Sequence, residues 1–158
     1  ELREAKWEEI NYATQIWRIP SHRMKMNEEH IVPMSSQLIS VLKRIQDITG
    51  QYELVFTSER DRSRPMSENT LRQAMFRLGY DGNSEGKSRA VPHGFRTTAC
   101  SILNEQGFNP DAIERQLSHR ERDGVRAAYI HQARFLEERT KMMQWWGDFI
   151  EKCEVKNG

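Results

Sequence analysis

The period of the apolar residues changes at Ser35, and that change limits what the chain can fold into. Ahead of it, "QIWRIP" (residues 15–20) alternates, with Ile16, Trp17 and Ile19 β-branched or aromatic, and predicts a strand. "HIVPM" (30–34) predicts a second strand. The polar "SHRMKMNEE" between them suits a hairpin connection with Lys25 at its tip, so a small antiparallel sheet is expected. Residues 2–9 read as the end of a helix. After Ser35 the signals are helical. Ser35 can cap a helix carrying Leu38, Val41, Leu42 and Ile45 at helical spacing, with Gly50 beyond its end. Ser67 can cap a second, with Leu71, Ala74, Met75 and Leu78 on one face and Gly79 as the stop. "DGNSEGKSRA" (81–90) is a loop. A third helix is expected over 96–106, stopping at Gly107. A fourth has Asn109 as cap, Pro110 at its first position and Asp111 in its first turn, and ends near Ser118. A short helical piece follows through Tyr129. A longer helix over 133–150 carries Phe135, Met142, Trp146 and Phe149 on one stripe. The fold class expected is α+β, mostly helical, with one small antiparallel sheet.

The length of 158 residues suits one domain with a real core. At 37% hydrophobic and 30% charged, the composition is that of a soluble globular protein. No apolar run is long enough to span a bilayer, and no signal-peptide pattern is present, so no membrane role is expected. The chain opens with Glu1 rather than Met, and reads as a fragment of a longer protein. The 2 cysteines, Cys100 and Cys153, form neither a metal pattern nor a disulfide framework, which points to a reducing, cytoplasmic setting. The net charge of +1 does not announce a nucleic-acid partner. Its distribution is uneven, however. "SERDRSR" and "GKSRAVPHGFR" are basic, which fits either a nucleic-acid face or ordinary solvated loops.

Three pieces could carry chemistry. "HGFR" places His93 and Arg96 three apart, on one face if a helix opens at Gly94. A helix N-terminus after a loop with Gly and Lys favours an anion such as phosphate. Taken alone, the same pattern also describes a helix-start histidine beside a surface arginine. "LSHRERDGVRAAYIH" (117–131) holds His119 and Tyr129. A tyrosine with its ordinary pKa near 10 is a poor nucleophile at neutral pH. It attacks a phosphodiester only where cations stabilise the phenolate and the phosphoryl oxygens. Arg96, His93 and His119 are residue types that can do so; by itself Tyr129 reads equally as a core aromatic. Lys25, in "RMKMNEEHIVP", can reach from a two-stranded tip into a cleft, or stand as an exposed turn lysine.

Together these pieces resemble the catalytic domain of the tyrosine recombinases, the phage-integrase family. That family's ordered set is Arg, Lys, HxxR, His or Trp, then Tyr, and Lys25, "HGFR", "LSH" and "AAYIH" follow that order. "WRIPSHRMKMNEEHIVPMS", "RPMSENTLRQAMFRLGYDG", "PHGFRTTACSILNEQGFNPDAIERQLSH" and "RERDGVRAAYIHQARFLEERTKMMQWW" are similar to the branch found in satellite phages and genomic islands. The resemblance implies a C-terminal catalytic domain over 1–158, cut at its N-terminal edge, with a separate N-terminal DNA-clamping domain absent. The family's first catalytic arginine lies in "RxGEL", and "ELREAKW" starts at the Glu of that motif. Arg3 is past the Glu–Leu pair and is not its counterpart. Glu1 takes the acidic, supporting position. Losing one such charge contact typically costs about 3–4 kcal/mol, so this stretch alone is expected to cleave DNA poorly.

The resemblance implies site-specific DNA recombination, the integration or excision of a mobile element such as a prophage. Tyr129 would attack the scissile phosphate, leaving a 3′-phosphotyrosyl link and a free 5′-hydroxyl. Arg96 would hold the non-bridging oxygens with its planar fork. His93 would assist proton transfer at the tyrosine hydroxyl, His119 would bond a non-bridging oxygen, and Lys25 would protonate the departing 5′-oxygen. His131 follows the tyrosine as in the family but takes no role. The five histidines show no metal-ligand spacing, and neither a metal nor another cofactor is expected. The partners implied are double-stranded DNA attachment sites, further copies in a tetramer on DNA, and accessory DNA-bending proteins, in the cytoplasm at the nucleoid. The basic loops at 60–64 and 87–89, with Arg62, Arg64, Lys87 and Arg89, are expected to touch DNA phosphates. A type IB topoisomerase-like cleavage enzyme and a DNA-binding module without turnover are the alternatives. The last helix is expected to pack on its own domain rather than on a neighbour. Trp145 and Trp146, adjacent in sequence, are not expected to face one core.

Overall fold

The computed structural model describes residues 2–25, 27–84, 86–118 and 135–155. The two expected strands form. β2 (Ile16–Ile19) and β3 (His30–Pro33) pair antiparallel, with Ile16 opposite Pro33 and Ile19 opposite His30. A third strand not foreseen, β1 (Ile10–Asn11), pairs on the other edge of β2, giving the order β1-β2-β3. It is two residues long, too short to show a period.

The N-terminal segment departs from its helical expectation. Leu2–Glu4 and Trp7–Glu9 are single 3₁₀ turns, with Lys6 bridged to Leu54 between them. Tertiary pairing overrides local propensity here. Val55 N–H donates to the Ala5 carbonyl at 2.8 Å, and Trp7 N–H to the Glu53 carbonyl at 3.1 Å. Those bonds hold the backbone extended around Ala5, which is buried.

The helices form where expected, two of them with shifted starts. In α1 (Ser36–Thr49), Ser35 is the cap and its Oγ accepts from Leu38 N–H at 3.2 Å. α2 (Thr70–Arg77) starts later than Ser67 implied: Asn69 stands at the cap, and the Ser67 hydroxyl pairs with Thr70 Oγ1 instead. α3 (Pro92–Glu105) starts earlier than expected, with Pro92 in its first turn. α4 (Pro110–Gln116) has the predicted cap, Asn109 Oδ1 accepting from Asp111 N–H at 2.9 Å. α5 (Leu136–Val155) is the last helix. Gly79 and Gly107 stop α2 and α3 at φ +87° and +78°, where a Cβ would be strained.

Apolar residues gather in two clusters. One centres on Ala5, Met34, Leu42 and Val55, where the sheet meets α1. The other centres on Leu103, Ile113 and Met142, joining α3, α4 and α5. The expected apolar face of α2 buries little: Leu71 and Leu78 are 39% and 64% exposed. α5 packs in cis on α1, α4 and β3, as expected. Trp145 and Trp146 both lie against the second cluster, contrary to expectation. They share Phe149, whose ring stacks on Trp145 at 5.4 Å and on Trp146 at 5.5 Å between centroids. Adjacent positions reach one core because each ring folds over the same neighbour a turn later.

α5 meets the first turn of α1 through polar side chains. Gln37 Nε2 and Gln144 Nε2 each donate to Asp148 Oδ1 at 2.8 Å, and Ser36 N–H donates to Gln144 Oε1 at 3.0 Å. Those amide donors hold the Asp148 carboxyl below the usual carboxylate range. Gly147 makes this approach possible. A Cβ there would lie 2.8 Å from Ser35 Oγ and 2.9 Å from Ser35 Cβ. Gly147→Ala improves helix propensity by about 1 kcal/mol but overpacks the contact at a larger cost. The expected result is a net loss of about 1–2 kcal/mol in urea unfolding, where propensity alone would give a gain.

Candidate active site

α3 opens four residues ahead of the expected start and carries "HGFR" as its second to fifth residues, so His93 and Arg96 lie three apart on one face. His93 is exposed and Arg96 half-buried. Val91, at the cap, has no side-chain acceptor for the first-turn N–H groups. α3 packs on α4, and Arg96 carries its charge to the same region as His30 of β3.

Lys25 is exposed in the connection between β2 and β3, directly after buried Met24. That hairpin connection is ten residues long, with a 3₁₀ turn at Ser21–Arg23. A buried ion pair anchors it. Arg23 Nη1 pairs with Glu9 Oε1, their side chains only 6% and 5% exposed, and Glu9 Oε2 accepts from Trp17 Nε1 at 3.0 Å. Two neighbouring donors satisfy the buried carboxylate oxygens. On the far side of Lys25, Glu28 meets Arg115 of α4 at 3.8 Å and Glu29 meets Arg18 at 2.6 Å.

Two candidate-bearing elements therefore approach the end of α4, which leads into "LSH": the connection with Lys25, through Glu28 and Arg115, and α3, whose Arg96 acts on His30 beside Gln116. At that end Ser118 adopts φ +52°, a left-handed corner uncommon for a residue with a side chain. It turns the backbone out of α4 directly before His119. His119, Tyr129, His131 and Glu1 lie outside the described residues. Among the described residues no group of three or more His, Cys, Asp or Glu is placed to hold a metal ion.

Beneath this convergence lies a polar cluster that the sequence reading missed. His30 Nε2 faces the Gln116 carbonyl at 3.2 Å. A carbonyl can only accept, so Nε2 carries the proton. Arg139 of α5, 1% exposed, donates from Nε to Gln116 Oε1 at 3.0 Å and from Nη2 to the Ile31 carbonyl. Burial lowers the Arg139 pKa to about 10, with Arg115 adding to the effect, so the guanidinium remains charged at neutral pH. A signal was available. Arg139 stands on the apolar stripe of α5, four residues after Phe135 and three before Met142, where a charge is out of pattern.

The four expected DNA contacts lie on two exposed loops. Arg62 donates to Thr57 Oγ1 at 3.1 Å and lies 6.0 Å over the Tyr52 ring. Arg64 pairs with Asp61 at 3.1 Å. Lys87 Nζ donates to the Leu78 carbonyl at 2.8 Å, and the Arg89 side chain runs along Gly82. These are surface engagements, weak enough to be exchanged for phosphates.

An α+β domain with a three-stranded sheet, an HxxR helix and a lysine-bearing strand connection meeting at one helix end has the form of a tyrosine-recombinase catalytic domain. Residues 1–134 match the model of the phage integrase family, and the chain belongs to that family. It is 46% identical over 164 residues to the "Integrase" of Enterobacteria phage P4, covering 96% of this chain and 36% of that protein. It is equally 46% identical over 164 residues to "Putative protein IntB" of Escherichia coli (strain K12), covering 96% and 40%. "Prophage integrase IntA" of the same strain is 38% identical over 154 residues, covering 98% and 36%. The chain thus spans 36–40% of the length of these curated relatives. No solved structure matches. No helix among the described residues is long and apolar enough to cross a membrane.

The His30 environment gives a pH test. Burial first, then the charges of Arg139, Arg115 and Arg96, lower its pKa to about 4, against the opposing bond to the Gln116 carbonyl. The folded state therefore favours the neutral ring, while the unfolded chain takes up a proton near pH 6.5. This contribution is fully present above about pH 6.5 and is lost as pH falls from there toward 4, up to about 3 kcal/mol. His30→Gln cannot titrate. Urea unfolding between pH 7 and pH 4.5 should show the variant losing less stability than the wild type over that interval.

Proposed function

We propose that the protein carrying this chain breaks and rejoins DNA at specific sites, integrating or excising a mobile element, and that this chain is its catalytic domain. The observation that carries this is the convergence of the Lys25 connection and the HxxR helix on the end of α4, next in sequence to "LSH". Family membership and relatives named integrases support it.

In this reading the Tyr129 hydroxyl oxygen attacks the scissile phosphorus, with His93 assisting removal of its proton. A new phosphorus–oxygen bond forms at the 3′ side while the bond to the 5′-oxygen breaks, and Lys25 supplies the proton for that oxygen. Arg96 and His119 hold the non-bridging oxygens as charge develops on them. The phosphotyrosyl link keeps the energy of the phosphodiester for rejoining by a 5′-hydroxyl. The substrate is double-stranded DNA at attachment sites, acted on by a tetramer at the nucleoid, with DNA-bending proteins as accessories. Arg62, Arg64, Lys87 and Arg89 contribute contacts to phosphates flanking the cleavage point, which position the duplex without reading its bases. Glu1 takes the acidic, supporting role.

A nicked suicide substrate tests the reading. The full-length protein should form a covalent DNA adduct that survives denaturation, and Tyr129→Phe should form none. Arg96→Ala should slow adduct formation roughly a hundred- to a thousandfold. An adduct that persists in Tyr129→Phe removes the nucleophile assignment, and site-specific binding that never yields an adduct in the wild type favours a binding module.

A further inference from the structure

Arg139 is buried and bonds acceptors on two other elements. Its Nε donates to Gln116 Oε1 at 3.0 Å and its Nη2 to the Ile31 carbonyl. Gln116 is the last residue of α4, and Arg139 lies in the first turn of α5. The Gln116 carbonyl in turn accepts from His30 Nε2–H at 3.2 Å. The end of α4 is thus gripped twice, through its side chain by α5 and through its backbone by β3.

The chain between these two helices carries His119 and Tyr129. The Arg139–Gln116 bond ties the two ends of that stretch together, beside the apolar packing of Ile113 and Met142. A guanidinium that is 1% exposed is an expensive way to gain stability, since well-packed apolar residues commonly serve as well or better. What an apolar side chain cannot do is fix two acceptors on two elements at the separation of a rigid planar fork.

We propose that Arg139 is a positioning residue for DNA strand cleavage: acting through Gln116 and the Ile31 carbonyl, it clasps the end of α4 to the start of α5 and so fixes the two points from which the Tyr129-bearing chain is hung. It touches neither the phosphate nor the nucleophile. This role rests on the recombinase reading above.

Removing Arg139 strands two buried acceptors and endangers folding, so the test changes its partner in the full-length protein. Gln116→Ala deletes the acceptor and keeps the backbone bond to His30. Gln116→Glu keeps an oxygen for Arg139 Nε. On a nicked suicide substrate, Gln116→Ala should slow adduct formation roughly ten- to a hundredfold, with DNA affinity held within about twofold, and Gln116→Glu should restore the rate. Amide hydrogen exchange at 116–118 and 135–139 should rise roughly tenfold in Gln116→Ala and return in Gln116→Glu. Unchanged exchange in Gln116→Ala overturns the clasp. Faster exchange with a wild-type adduct rate, or a loss confined to DNA affinity, overturns its positioning role. A wild type that forms no adduct sinks the recombinase reading instead, and the exchange arm still judges the clasp.

Discussion

The buried guanidinium of Arg139 is the interaction on which the arrangement of this domain most depends. Three elements distant in sequence meet at it: β3 through the Ile31 carbonyl, α4 through Gln116, and α5, which carries it. The apolar residues form two clusters, one where the sheet meets α1 and the other among α3, α4 and α5. Apolar contact holds each cluster together but does not fix how one is oriented to the other. Hydrogen bonds do, because they act over short distances and narrow angles. The second polar contact, around Asp148 and Gly147, pins the same helix to α1 from a site further along. α5 is thus held at two places by directional bonds.

This organisation explains why the candidate residues can come from exposed connections and still be placed. Lys25 is exposed, yet Arg23, two residues earlier, is locked to Glu9 in the interior, and Glu28, three residues later, meets α4. The buried pair carries most of that restraint, since the Glu28 contact is a surface one. His93 and Arg96 are placed by a helix that rests on α4. Exposed, charged connections are poor ground for a core, so the placement of these residues is supplied from the interior beneath them.

Much of the fold was legible before the structure. Ser35 and Asn109 cap helices as their residue types require, and Gly79 and Gly107 end them. The readings that failed did so where distant residues intervene. Residues 2–9 have helical character but are drawn out beside 53–55 by backbone bonds. β1 exists because β2 offers it an edge. Trp145 and Trp146 share one cluster because Phe149 stands between them. Of the candidate site, residue types and order were legible in "HGFR", "LSH" and "AAYIH", whereas His30, Gln116 and Arg139 were not. Their roles exist only as contacts across 23 to 108 residues of chain.

The sequence by itself determined β2, β3 and the run of helices after Ser35, most of their caps and stops, and the identity and order of the candidate catalytic residues. These depend on side-chain chemistry acting within one turn or one strand, or on a motif read along the chain. Only the tertiary structure decided that the Lys25 connection and the HxxR helix meet at one end of α4, that α5 folds back onto its own domain, and that a charge on its apolar stripe belongs inside. Each of those depends on whether a buried polar group finds its partner, and that partner lies on another element.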